Sequence, residues 1–114
     1  MNELAKRLVA CKRFRWMPGV RWLMLRAEGT LLGSGRVPDG PALFFNSEGR
    51  LPDLNDPGTI GCLLALVRKA WDDPLICVAV DNTGCGWWVN GRNVPMTLYG
   101  SEAEALVATL EAAP

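Results

Sequence analysis

The stretch NDPGTIGCLLALVRKAW, residues 55–71, carries the strongest secondary-structure signal in the chain. Asp56 suits the N-cap of a helix, because its carboxylate can accept a backbone N–H, and Pro57 suits the first helical position, which needs no N–H donor. The predicted inward face consists of apolar residues at helical spacing, namely Ile60, Leu63, Leu64, Val67 and Trp71. The predicted helix ends before Pro74, because the residue ahead of a proline avoids helical geometry.

Cys62 and Leu66 widen this apolar face, so that most of the circumference of the predicted helix is apolar. A helix of this kind is either deeply buried within its own chain or partly covered by a second subunit. The second alternative leads to the prediction of a homo-oligomer.

Short strands are predicted on both sides of this helix. Before it, glycine-rich turns separate irregular strands at residues 22–27, 30–35 and 42–46. After it, residues 75–80 and 86–90 predict a hairpin. Residues 94–99 follow an Asn-Gly turn signal and are a candidate third strand.

Helices are predicted near both ends of the sequence. Residues 3–11 have apolar side chains on one side and Lys6 and Arg7 on the other. Ser101 and Glu104 fit an S-x-x-E capping box, which begins the last helix. The order α-β-α-β-α lacks regular βαβ units, so we expect a single α+β domain over residues 1–114, with a small antiparallel sheet packed with three helices.

The composition is that of an ordinary globular domain. The chain has 114 residues, of which 49% are hydrophobic and 21% are charged, and these values argue against disorder. No apolar run approaches the ~18–20 residues of a membrane span. Basic residues also interrupt the N-terminal apolar positions, unlike a secretory signal peptide. We therefore expect a cytoplasmic protein that does not contact the membrane.

The four cysteines give no metal-binding pattern. Cys11, Cys62, Cys77 and Cys85 form no C-x-x-C pair, and the chain has no histidine. Zinc sites require clustered cysteine and histidine, so no metal and no cofactor are predicted. We expect free, mostly buried thiols, with Cys85 as a candidate exposed one in a glycine-flanked turn.

No catalytic residues are predicted. Histidine, the most common proton carrier in general acid–base catalysis, is absent. Asp56 is better explained as a helix cap, and Asp72 and Asp73 as solvated residues at a helix end. We therefore expect a protein that is not an enzyme.

Charge is distributed unevenly along the chain. Residues 1–26 contain seven basic residues and one acidic residue, whereas the remainder contains five basic and eleven acidic residues. Such asymmetry is typical of an anion-binding patch, and the alternative is that the two parts neutralise each other on one surface.

Basic and aromatic residues alternate between residues 11 and 22. Guanidinium groups bind phosphates through two hydrogen bonds, and indole rings stack on nucleobases. Together with a loop arginine beside an Asn-Gly turn, the predicted ligand-binding residues are Lys12, Arg13, Arg15, Trp16, Arg21 and Arg92. The alternative is that Trp16 and its aromatic neighbours belong to the core and that the arginines are solvated at its rim.

Five stretches carry a family resemblance: ELAKRLV at 3–9, RWMPG at 15–19, LPDLNDP at 51–57, GCLLALVR at 61–68 and EAEALV at 102–107. They resemble small phage and prophage proteins to which no activity is assigned. The order of elements is also similar to that of the phage α/β/α sandwich domain. The resemblance implies a phage setting and an α+β fold, but it brings no known functional residues.

These observations lead to one functional prediction with two alternatives. The chain is predicted to be a non-enzymatic phage counter-defence protein that sequesters a small anionic nucleotide signal, such as a cyclic oligonucleotide or an ADP-ribose derivative. The first alternative is a protein–protein inhibitor of a host defence nuclease or CRISPR effector, with Glu102, Glu104 and Glu111 mimicking nucleic acid. The second is a small nucleic-acid-binding phage regulator.

Overall fold

The structure is a computed structural model that describes residues 2–39, 45–84 and 86–114. Within these residues the elements follow the order α1 (Asn2–Ala10), β1 (Arg21–Leu25), β2 (Leu31–Arg36), β3 (Arg50–Pro52), α2 (Pro57–Ala70), β4 (Cys77–Val80), β5 (Trp87–Asn90) and α3 (Glu102–Glu111). The predicted α+β class and the α-β-α-β-α order are therefore confirmed. The strands form two small antiparallel sheets, where one sheet was predicted.

The first sheet has the strand order β2-β1-β3. Leu23 of β1 pairs with Ser34 and Leu51, and Leu51 packs against the buried core. Trp22 is on the opposite face, where its ring lies across Gly35 of β2.

The predicted strand at 42–46 is tested only at its last two residues. Residues 42–44 lie outside the described residues, and Phe45 and Asn46 belong to no strand. Among the described residues the third strand is β3, which follows a turn at Gly49, where φ is 74°. Packing of Leu51 on the core selects this position, and such a tertiary contact leaves no local sequence signal.

The second sheet is the hairpin of β4 and β5, which Asp81 N–H closes by donating to the Gly86 carbonyl at 2.8 Å. Trp87 packs against the core, whereas its neighbour Trp88 lies on the opposite side of the strand. The predicted strand at 94–99 is reduced to one bridge between Tyr99 and Trp87.

Helix α3 is the most deeply buried element, because it packs against α1, α2 and both strands of the hairpin. Its buried residues are Ala103, Ala105, Leu106, Val107, Thr109 and Leu110. As predicted, Ser101 caps the helix and accepts the Glu104 N–H at 3.1 Å. No helix among the described residues is long and apolar enough to cross a bilayer.

Helix α2 begins as predicted, with Asp56 at the N-cap accepting the Thr59 N–H at 2.9 Å. It ends at Ala70, and Trp71 is the C-cap residue. The Trp71 indole Nε1–H donates to the Thr109 carbonyl at 2.9 Å, and this bond ties the end of α2 to α3.

Asp56 also connects the start of α2 to the first sheet. Arg36 of β2 donates to both carboxylate oxygens, at 2.7 and 2.9 Å, and to the Gly19 carbonyl at 2.9 Å. The Thr59 hydroxyl in turn accepts the Arg21 N–H at 2.8 Å. One carboxylate therefore organises a helix start, a strand and a loop.

Asp73 is not the solvated residue that the sequence predicts. Its side chain accepts backbone N–H groups from Arg92 at 3.0 Å and from Leu75 at 3.1 Å, and only 7% of the residue is exposed. These hydrogen bonds, the one from Arg92 above all, lower the pKa of Asp73. The carboxylate therefore fixes two loops, whereas Asp72 is exposed as predicted.

The three described cysteines are free thiols. Cys11 and Cys62 are half-buried, and burial raises the pKa of Cys62. The prediction of mostly buried thiols is wrong for Cys77, because this residue lies on the exposed side of β4. Cys85, the candidate exposed thiol, lies outside the described residues.

Gly35→Ala is expected to lower the free energy of unfolding by about 1–2 kcal/mol, because overpacking forces neighbouring groups to move. A Cβ at this position would lie 2.7 Å from Cζ2 of Trp22. Urea denaturation measures the change. Gly61→Ala in α2 is the matched control, since no atom lies within 4 Å of its new Cβ. There we expect no loss of stability, because alanine favours a helix. Equal losses in the two variants would contradict the prediction.

Candidate anion-binding site

A cavity of about 230 Å³ lies between the turn that follows α1 and the last turns of α2. Its lining residues are Lys12, Arg13, Arg15, Leu66, Lys69 and Ala70. Four of the six are cationic and none is acidic, so the cavity suits an anion.

The turn after α1 presents the first two cations. Helix α1 ends at Ala10, and the Cys11 N–H then donates to the carbonyls of Arg7 and Leu8, at 3.1 Å each. Phe14 is buried with 8% exposure and anchors the turn in the core. Lys12 and Arg13 lie between these two fixed points and are exposed.

Arg15 braces the same turn. Its Nη1 donates to the Lys12 carbonyl at 2.7 Å and to the Phe14 carbonyl at 2.8 Å. The guanidinium is thereby folded back over the turn. It supplies a hydrogen-bond donor to two backbone carbonyl groups just after the end of α1. Arg15 therefore adds charge to the cavity and also holds the segment that carries Lys12 and Arg13.

Helix α2 supplies the other wall. Leu66, Lys69 and Ala70 are spaced three and four residues apart and so share one face of the helix. Leu66 and Ala70 also pack against the core, whereas Lys69 is exposed. The cavity thus combines an apolar floor with a cationic rim.

The local electrostatics favour anions. The cavity lies at the C-terminal ends of α1 and α2, where each helix dipole places roughly half a negative charge, against four unit positive charges. Within the described residues, no carboxylate forms an ion pair with Lys12, Arg13, Arg15 or Lys69. The cavity therefore has a net positive charge of about three.

Two other arginines of the first 26 residues are paired with carboxylates. Arg7 forms an ion pair with Glu111 of α3, and Nε of Arg21 lies 3.3 Å from an oxygen of Asp53. The alternative prediction, that the basic and acidic parts of the chain neutralise each other, therefore holds for these two arginines. It does not hold for the cations of the cavity.

The structure brings together only part of the predicted site. Lys12, Arg13 and Arg15 line one cavity, whereas Trp16, Arg21 and Arg92 are not among its lining residues.

Trp16 is half-buried at the edge of the core, with its ring centroid 5.3 Å from that of Phe14 and 5.2 Å from that of Phe45. Arg21 also donates from Nη2 to the Ser34 hydroxyl at 3.2 Å, on the first sheet. Arg92 is exposed beside a separate small cavity next to Asp73. The position of Trp16 matches the alternative in which it belongs to the core.

Lys69 is the lining cation that the sequence analysis does not predict. A lysine in the last turn of a helix already complements the helix dipole, so its position carries no ligand signal. Only the packing of the turn after α1 against α2 brings it to the cavity.

A cavity of about 510 Å³ lies between the starts of α2 and α3. Leu54, Pro57, Ile60, Leu64 and Ala103 make its walls mainly apolar, and Glu102 is its one charged lining residue. The positive dipole ends of α2 and α3 lie at this cavity, but Glu102 carries a full negative charge and no lining residue is cationic, so we do not assign phosphate to it.

A further cavity of about 260 Å³ lies beside the turn end of the hairpin. Trp88 lines it together with exposed apolar residues, namely Val80, Met96 and Leu98, whose exposed fractions are 47%, 77% and 58%. An exposed apolar patch of this kind is typical of a protein-binding surface.

Within the described residues, no three His, Cys, Asp or Glu side chains cluster in a way that could hold a metal ion. Comparisons of the chain with protein-family models, with curated proteins and with solved structures found no match.

Proposed function

We propose that this protein is a non-enzymatic binding protein that sequesters a small anionic nucleotide in the cavity formed by Lys12, Arg13, Arg15 and Lys69. The observation that carries the proposal is the convergence of these four cations, without an ion-paired carboxylate among the described residues, in one concave site. Ammonium and guanidinium groups form short, charge-assisted hydrogen bonds with phosphate oxygens. Leu66 and Ala70 supply the apolar part of the lining.

The proposed setting is counter-defence in a phage-infected bacterium, and it rests on the resemblance to small phage and prophage proteins. A binder of this kind acts by mass action, because each bound nucleotide is removed from the pool available to the host receptor. Cyclic oligonucleotides and ADP-ribose derivatives are the signals predicted from the sequence, and a nucleotide with a terminal phosphate is the candidate that the four clustered cations favour.

Lys69→Gln is expected to weaken nucleotide binding at least tenfold, equivalent to about 1.4 kcal/mol, because it removes one of four cations from the site. Isothermal titration calorimetry and native mass spectrometry with a panel of nucleotides measure the effect. The matched control is Lys6→Gln, which changes the charge equally but affects an exposed lysine paired with Glu3. We expect the affinity of this control to stay within twofold of the original protein.

Two results would contradict the proposal. The first is a protein that binds no nucleotide of the panel at micromolar to millimolar concentration. The second is an equal loss of binding in Lys69→Gln and Lys6→Gln, which would mean that overall charge, and not the cavity, attracts the ligand.

The apolar patch of Val80, Met96 and Leu98 favours inhibition of a host protein as a second candidate function. Co-purification with a host protein that Met96→Glu abolishes and Lys69→Gln leaves intact would support this candidate. The acidic-mimic form of the idea is weaker, because Arg7 already pairs with Glu111.

The homo-oligomer stays a prediction. Apolar residues of α2 are buried or half-buried within one chain, and the exposed positions of the helix are Pro57, Gly58, Gly61, Ala65 and Lys69. The apolar character of α2 is therefore explained without a second subunit.

A further inference from the structure

Building on the proposed function, we infer that the cavity binds the terminal diphosphate group of a nucleotide and does not recognise the nucleobase. The inference names the part of the ligand that is held, and it separates terminal phosphates from the internal phosphodiesters of cyclic oligonucleotides and the internal diphosphate of ADP-ribose.

The first reason is the chemistry of the lining. The side chains of Lys12, Arg13, Arg15 and Lys69 are hydrogen-bond donors without an acceptor, and the remaining two lining residues are apolar. Recognition of the amino groups of adenine and cytosine requires acceptors, which these side chains lack, whereas donors alone contact only O6 and N7 of guanine. Such a lining therefore selects phosphate oxygens and cannot read adenine or cytosine.

The second reason is the position of the aromatic rings. None of the residues lining the cavity is aromatic. Trp16 is held between Phe14 and Phe45. The Trp22 ring has the Arg50 guanidinium 4.3 Å from its centroid. The base of a bound nucleotide therefore finds no aromatic stacking partner in the lining.

The third reason is size. A cavity of about 230 Å³ is smaller than the ~300–1,000 Å³ of pockets that enclose drug-sized ligands. This space suits a diphosphate group, but it is too small to enclose a whole cyclic oligonucleotide.

The fourth reason is charge. A terminal phosphate monoester carries about 1.5 to 2 negative charges near neutral pH, whereas a phosphodiester carries one. Four cations concentrated in a small volume therefore discriminate in favour of the end of a nucleoside diphosphate, where the density of negative charge is highest.

The test uses inorganic pyrophosphate as the probe, by isothermal titration calorimetry of the full chain in buffer with a metal chelator. We expect pyrophosphate to bind and to be displaced by ADP. We also expect ADP, GDP and CDP to bind within threefold of one another, and ADP-ribose and a cyclic dinucleotide to bind at least tenfold more weakly. Lys69→Gln should weaken pyrophosphate binding at least tenfold, and Lys6→Gln should leave it within twofold.

The possible results separate this inference from the proposed function. If ADP-ribose or the cyclic dinucleotide binds as tightly as ADP, or if one base is preferred more than tenfold, this inference is wrong and the sequestration of a nucleotide stands. If neither pyrophosphate nor any nucleotide binds, both are wrong. An oligoribonucleotide with a 5′-triphosphate that displaces pyrophosphate more strongly than ATP does would support the same end-group chemistry and assign its source to an RNA end.

Discussion

Leu106→Ala is expected to lower the free energy of unfolding by about 3 kcal/mol, because it combines a lost transfer free energy with a cavity that its surroundings can only partly fill. Leu106 is fully buried in α3, the helix that contacts α1, α2 and the hairpin. For a domain whose total stability is about 5–15 kcal/mol, this is a large fraction. Urea denaturation followed by circular dichroism measures the change in midpoint at constant m-value.

Leu98→Ala is the matched control for this prediction. It removes the same atoms from a side chain that is 58% exposed, so we expect a loss below about 1 kcal/mol. Similar losses in the two variants would show that α3 does not occupy the centre of the core.

Asp56→Ala is expected to lower the free energy of unfolding by about 2 kcal/mol at pH 7. Loss of an N-cap accounts for about 1 kcal/mol, and the remainder comes from donors that lose their acceptor. The carboxylate, with 11% of its side chain exposed, accepts from Thr59 N–H and pairs with Arg36. Asp56→Asn should cost less, because asparagine also caps helices and the pair with the half-exposed Arg36 is screened by solvent.

The dependence of stability on pH tests the same group. The hydrogen bond from Arg36 is the main cause that holds the pKa of Asp56 well below its ordinary value. A carboxyl with a depressed folded-state pKa contributes stability that is fully present above its unfolded pKa of about 3.9 and fades as the pH falls below it. The difference in stability between the original protein and Asp56→Asn should therefore shrink between pH 5 and pH 3. A difference that stays constant over this range would exclude the ion pair as its source.

Local chemistry explains which elements of the fold were predictable. Asp56 and Ser101 cap the helices as predicted, because a cap contacts the backbone only three residues away. The position of the third strand and the burial of Asp73 were not predictable from such local contacts. Leu51 fixes β3 through the core, and one of the donors to Asp73 comes from Arg92, 19 residues further along the chain.

The same distinction between local sequence and tertiary packing explains which residues of the candidate site were predictable. Lys12, Arg13 and Arg15 were predicted because basic residues are concentrated in one short segment. Lys69 was not predicted, because it reaches the cavity only where α2 packs against the turn after α1. The sequence predicts Trp16 as a base-stacking residue because an indole ring lies among basic residues. Its ring instead contacts those of Phe14 and Phe45, and these contacts depend on the tertiary structure.

The position of α3 has a consequence for biosynthesis on the ribosome. This helix follows every other described element in the chain, yet it supplies the buried residues against which α1 and the hairpin pack. Leu8 of α1 therefore has no complete core to enter while the intervening residues are still being translated. The core around Leu8 therefore cannot be completed until α3 emerges, and apolar residues that α3 later covers are exposed to chaperones during that interval.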